Sequence, residues 1–153
     1  MIEKIVSTGQ AGAARAALDW ALNHGLPHGG WCPKGRKVLD GILDRRYLLD
    51  EIPTSNQVVS KKWNIRDSDG TLVFTLEKDL HGQALKAFEI AEKLGKPCLH
   101  MAGASAQTGA DLRAFVEDND IRILNVAGSP DSEELAIYLT LEETLNEAFP
   151  QGE

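Results

Sequence analysis

Ile2-Glu3-Lys4-Ile5-Val6-Ser7-Thr8-Gly9-Gln10-Ala11-Gly12-Ala13-Ala14-Arg15-Ala16-Ala17-Leu18 sets a strand-like run, Ile2 to Val6, against a glycine-punctuated turn and an alanine-rich helical pattern. A strand, a tight turn and a helix follow from it. Gly9 supplies the backbone angles such a turn needs, and Gly12 holds no side chain over the first helical turn. The free N–H groups there and the helix dipole favour an anion, phosphate first. The spacing is Gly-x-x-Gly rather than the full G-x-G-x-x-G fingerprint, so a plain βα turn without a ligand is the competing reading. Thr8, Gly9, Gln10 and Gly12 are the first candidate ligand contacts. Arg15, in the first helical turns, is a candidate for a charge-assisted bond to a phosphate.

Outward from this stretch, the helix presents Ala14, Ala17, Leu18, Ala21 and Leu22 on one face and ends at Gly25. His28-Gly29-Gly30-Trp31-Cys32-Pro33-Lys34-Gly35-Arg36-Lys37 is a Gly-rich, aromatic and basic loop in an acidic protein. Trp31 offers a face for stacking, and Lys34, Arg36 and Lys37 offer positive charge beside Gly35. A surface loop anchored by Trp31 is the alternative. Val38 to Pro53 is irregular and predicts a loop with one short extended or helical piece.

A helix is expected from Thr54 or Ser55, as cap, to Asp67, with Val58, Val59, Lys62 and Trp63 inward. Thr71-Leu72-Val73-Phe74-Thr75 reads as a central parallel strand. A second glycine junction at Gly82 leads into a helix carrying Leu85, Phe88, Ala91 and Leu94. Pro97 to Met101 predicts a strand, Ala102 to Ser105 a turn, Ala106 to Asn119 a helix, and Arg122 to Ala127 a strand ending at Gly128. Ser129 and Pro130 suit the start of a last helix with Leu135, Tyr138, Leu139 and Leu145 inward. Strands alternating with helices at this spacing argue for an α/β fold, an open, mostly parallel sheet covered by helices on both faces.

The 153 residues fit one domain, 1–153, with 42% hydrophobic and 25% charged residues. A formal net charge of −7 and a pI of about 5.1 disfavour extended nucleic-acid binding. No apolar run approaches the ~20 residues of a membrane span and no signal peptide precedes Ile2, so a cytoplasmic location is expected. Cys32 and Cys98 stand far apart and read as reduced thiols. His28, Cys32, His81 and His100 carry no recognised metal-binding spacing.

Four stretches carry a family resemblance: Ile5 to Asp19, His28 to Arg36, Trp63-Asn64-Ile65-Arg66-Asp67-Ser68-Asp69-Gly70-Thr71-Leu72, and Asn125-Val126-Ala127-Gly128. The chain resembles the "putative molybdenum carrier" family, a branch of the Rossmann-like superfamily that includes lysine-decarboxylase-like proteins and cytokinin-activating phosphoribohydrolases. The resemblance implies a Rossmann-like three-layer sandwich and a homo-oligomer. It also implies a pocket for a small phosphorylated ligand, the pyranopterin phosphate of molybdenum cofactor or a nucleotide; separately, the scattered spacing of His28, Cys32, His81 and His100 argues against a direct protein–metal site. The chain departs from the family pattern at Thr8, Ala11, Ala13-Ala14 and around His81-Gly82-Gln83, losing a hydroxyl and a carboxylate.

Three functions compete. A carrier needs only the phosphate turn, a flat ring near Trp31 and cations. A nucleotide N-glycosidic hydrolase needs a carboxylate after the second glycine turn. Here Ala84, Leu85, Lys86 and Ala87 follow it, and Asp67 and Asp69 precede their strand. The third possibility is a degenerate member acting as an interaction protein.

Overall fold

The computed structural model describes residues 1–103 and 106–150. In chain order the elements are β1 (Lys4–Val6), α1 (Ala13–Asn23), β2 (His28–Gly29), β3 (Trp31–Cys32), a 3₁₀ turn (Lys34–Arg36), β4 (Lys37–Val38), β5 (Gly41–Ile42), β6 (Asp50–Glu51), α2 (Gln57–Asp67), β7 (Gly70–Thr75), α3 (Gly82–Leu94), β8 (Cys98–Ala102), α4 (Ala106–Asp118), β9 (Ile123–Gly128) and α5 (Ile137–Ala148). The main sheet has five parallel strands in the order β2-β1-β9-β7-β8. Ile5 lies opposite His28 and Leu124, and Thr71 opposite Cys98 and Asn125.

β7 is buried along its whole length, as the hydrophobic run from Leu72 to Phe74 demands of a strand covered on both faces. Its side chains alternate. Leu72 and Phe74 join Ile5, Leu124 and Val126 against α1, α4 and α5, while Val73 joins Ala127 against α2 and α3. Alanines set the spacing of both outer layers: Ala13, Ala16, Ala17 and Ala21 on α1, and Ala84, Ala87 and Ala91 on α3. The result is the Rossmann-like α/β sandwich.

The segment from Trp31 to Ile52 forms more than one short piece. It holds four two-residue strands and a small core of its own, where Cys32, Val38, Leu43, Tyr47 and Leu49 close over Leu18. The Arg36 guanidinium pins this loop by donating to the carbonyls of Asp44 and Tyr47 at 2.7 and 2.8 Å and, at longer range, to those of Leu43 and Leu49. Irregular backbone needs such donors where no strand partner is available.

Three helices differ from their periodicity. α2 begins at Gln57 because Asn56, not Thr54 or Ser55, caps it, its Oδ1 accepting from Val58 N at 2.9 Å. Its buried residues are Ser60, Lys61, Asn64 and Ile65, and Val58 is left exposed. In α3 the buried phase falls on Ala84, Ala87 and Ala91, and Leu85 lies at the surface. α5 starts at Ile137 and not at Ser129. Residues 129–131 instead run against the α1 turn, Ala13 N donating to Ser129 O at 3.2 Å and Asp131 N to Ala11 O at 3.1 Å. Leu135 and Leu139 consequently face outward, 82% and 63% exposed, while Ile137, Leu141 and Leu145 enter the core. Of the turn expected at Ala102 to Ser105, Ala104 and Ser105 lie outside the described residues.

Candidate functional site

A cleft opens at the carboxyl ends of β1 and β9, on the side covered by α2. It is walled by Thr8 and Gln10 of the first turn, Gln57, Lys61 and Asn64 of α2, Gln83 of α3, and the run Asn125 to Pro130. Its water-accessible interior is only about 30 Å³, room for one small polar group rather than a ring system. Gly128 is indispensable to this shape: at φ 152° a Cβ there would stand 2.0 Å from Phe74 O. Gly12 is also closely fitted, an added Cβ lying 2.6 Å from Asp131 N. Ser7, fully buried, holds the turn by donating its hydroxyl to Ala14 O and accepting from Gly9 N.

Two donors converge on the cleft. Gln10 uses its Oε1 to accept from Leu39 N at 2.9 Å, and its Nε2 is buried with no partner. Lys61 is 9% exposed and donates to Gln83 Oε1 at 2.9 Å. Burial pushes its ammonium from 10.5 down to about 8, against an opposing pull from the Glu133 carboxylate. The neighbouring amides are already engaged. Asn64 clasps Trp31, accepting from its N–H and donating to its carbonyl, and Asn125 donates to Thr71 Oγ1. A buried unpaired N–H₂ beside a buried ammonium favours a ligand atom that accepts, above all an anionic oxygen.

The residues singled out from the sequence fall in several places. Thr8, Gln10 and Gly128 line this cleft, whereas a Cβ on Gly9 would face Leu43 and Leu49. Arg15 turns to Asp40, with contacts of 2.6 and 2.9 Å, and to Gly9 O. Its hydrogen bond to Asp40 raises its pKa and lowers that of Asp40. Arg36 is committed to loop carbonyls. Lys34 and Gly35 border a separate open groove with Lys37 and Pro53, and Gly35 N donates to Glu51 at 2.6 Å. Trp31 stands edge-on to Trp63 at 5.0 Å and donates to Asp67 at 2.9 Å, in a recess apart from the cleft. Gly82 opens α3 at φ 57°, with the Glu133 carboxylate against it.

Lys61, Asn64, Gln83 and Asn125 were missed in the sequence. A signal for three wall residues was present: Gln57, Lys61 and Asn64 repeat at i, i+4 and i+7, the spacing of a buried helix face written in polar residues.

At the neighbouring strand end, the buried Glu134 accepts from Leu76 N, Glu77 N and the Ser129 hydroxyl. Burial alone would raise its pKa, but these bonds and the charge of His81 hold it below the ordinary glutamate value. Asp69 lies at the opposite edge of the sheet, accepting from Arg122 N and Ile123 N.

The four possible metal ligands are dispersed. His28 accepts from Leu48 N, Cys32 is sealed in the loop core, His81 faces Glu77 at 3.6 Å, and His100 bonds Thr75. Among the described residues no group of three or more His, Cys, Asp or Glu is arranged to hold a metal ion, and no helix is long and apolar enough to cross a membrane.

Residues 5–149 match the Circularly permutated YpsA SLOG family. The fold matches a crystal structure of a putative molybdenum carrier protein from Syntrophus aciditrophicus SB, with 36% sequence identity and a TM-score of 0.94 over 97% of this chain and 95% of that one. No curated protein matches.

Proposed function

The chain belongs to the Circularly permutated YpsA SLOG family, and on that premise we propose that it is a binding or carrier protein for a small phosphorylated ligand. The ligand's anionic group is held in the cleft between Gln10 and Lys61. Ligand classes that meet this chemistry are a pyranopterin phosphate of the molybdenum-cofactor kind, which the name of the Syntrophus relative suggests as cargo, and a nucleotide. The observation that carries the reading is the pairing of Gln10 Nε2, buried without a partner, with the buried Lys61 ammonium on one cleft. The residues present fit one such group. On this reading an anionic oxygen of the ligand enters the cleft between Gln10 and Lys61, and the rest of the ligand stays outside its small interior.

The hydrolase reading needs a carboxylate free to face a sugar. Asp67 is bound to Arg66 and Trp31, and Asp69 to backbone N–H groups at the far edge. Glu134 reaches the right end of the sheet but is held by three donors. Glu133 lies against Gly82 and within electrostatic reach of Lys61, and binding is the reading that the buried donors of Gln10 and Lys61 favour.

The test is a thermal-shift and calorimetric screen against AMP, ATP, GMP, NAD and isolated molybdenum cofactor, with Gln10→Ala and Lys61→Met in parallel. A ligand at ~100 times its dissociation constant stabilises the fold by about 2.7 kcal/mol. One compound is expected to shift the parent, with each variant weakening it at least about tenfold. A ligand that binds both variants as tightly as the parent would place the site elsewhere.

A further inference from the structure

The first two N–H groups past β7 hold a carboxylate of the chain itself. Leu76 N donates to both oxygens of Glu134 at 3.1 Å, Glu77 N donates to Oε2 at 2.9 Å, and Ser129, just past β9, donates its hydroxyl to Oε1. Glu134 is 6% exposed, and among the described residues no lysine or arginine lies within ion-pair distance of it. A buried carboxylate satisfied by neutral donors, two of them successive backbone N–H groups, has the makings of an anion site.

Its location strengthens this. β7 and β9 are neighbours in the sheet, but β7 leads into α3 on one face and β9 leads toward α5 on the other. Open α/β sheets leave their ligand crevice where the connections part in this way. A second, independent contact points the same way. Glu133 lays its carboxylate against the first residue of α3, where a Cβ on Gly82 would come within 2.7 Å of Oε2. One loop thus sets two negative groups against the β7–α3 turn.

We propose that Glu134 is an internal stand-in for a ligand oxyanion: Leu76 N, Glu77 N and the Ser129 hydroxyl form a site of the phosphate class, and Glu134 sets specificity by keeping a ligand phosphate out of it. The site shares Ser129 with the wall of the Gln10 and Lys61 cleft, but its donors are other atoms and it requires no ligand at Gln10 and Lys61.

The experiment compares the parent, Glu134→Ala and Glu134→Ala/Ser129→Ala by melting temperature in phosphate, sulfate, acetate and chloride at matched ionic strength, with calorimetric titration of inorganic phosphate. Phosphate and sulfate stabilise folded proteins generally, so the increment over the parent is the readout. Glu134→Ala is expected to gain an extra shift in phosphate and sulfate, to bind phosphate at least about tenfold more tightly than the parent, and to lose the gain when Ser129 is also removed. Equal increments in parent and variant, or rescue by acetate alone, would overturn the proposal. Should Glu134→Ala fail to fold in chloride, refolding yield becomes the readout: recovery in phosphate that Glu134→Ala/Ser129→Ala does not share supports the site, and no recovery, or equal recovery in both variants, overturns it.

Discussion

Lys61 is the residue on which the site's electrostatics turn. The drop of its pKa from 10.5 to about 8 corresponds to roughly 3 kcal/mol of lost interaction for the charged form. The sign is that of a lowered base. Below pH 8 the native ammonium bears the whole cost. Between pH 8 and 10.5 the unfolded chain binds more protons than the native one, so the Lys61 contribution makes stability rise with pH through that window. Lys61→Met is therefore expected to be more stable than the parent at pH 7, by about 1–3 kcal/mol in urea, with the gap closing by pH 10. A gap independent of pH would mean that the ammonium is not what differs. An anion on the cleft reverses the balance by supplying the missing partner. Ligand affinity of the parent is then expected to fall as pH rises past 8, measured by calorimetry in buffers of different ionisation enthalpy that also register the proton taken up.

The elements are set by close approaches as much as by hydrophobic pattern. Gly128 shows this most sharply, since its φ of 152° and the 2.0 Å between a Cβ and Phe74 O leave no room for alanine. Gly128→Ala is expected to cost about 3 kcal/mol or more in chemical denaturation, because it combines strain with displacement of the central strands. A loss below about 1 kcal/mol would show that β7 and β9 can separate cheaply. Much of this layer was legible in the sequence. β7 and the first turn stand out because an apolar run and a glycine spacing are local signals. The inward faces of α2 and α5 were not legible. Val58 and Leu135 look like core residues in any periodicity count, yet α2 turns polar side chains to a cleft and the loop at 129–136 is spent on clamping the α1 turn and on Glu134. Contacts between segments more than a hundred residues apart leave no mark on local spacing. Thr8, Gln10 and Gly128 sit on local glycine turns and fall on the cleft wall, whereas the engagement of Arg15 with Asp40 and of Arg36 with loop carbonyls is not written in local spacing.

In the whole molecule, the strand order β2-β1-β9-β7-β8 explains the family's description. Counting β9 first turns the same order into 3-2-1-4-5, the inner part of the doubly wound arrangement. The cleft depends on which strand ends meet and not on where the chain starts counting. The chain order sets when the parts become available. β1 with β2 and β7 with β8 form two pairs that touch the rest of the sheet only through β9, and β9 is the last strand in the sequence. A fragment of residues 1–119 is expected to lack fixed tertiary structure, with no near-ultraviolet dichroism from Trp20, Trp31 and Trp63, and to gain it when residues 120–150 are added as a peptide. Cooperative folding of the fragment alone would contradict this. On a ribosome emitting about 5–20 residues per second, both half-sheets thus emerge with an unpaired inner edge and wait several seconds for the strand that joins them. The interval most open to chaperones, and to mispairing between nascent chains, falls between the synthesis of β8 and that of β9.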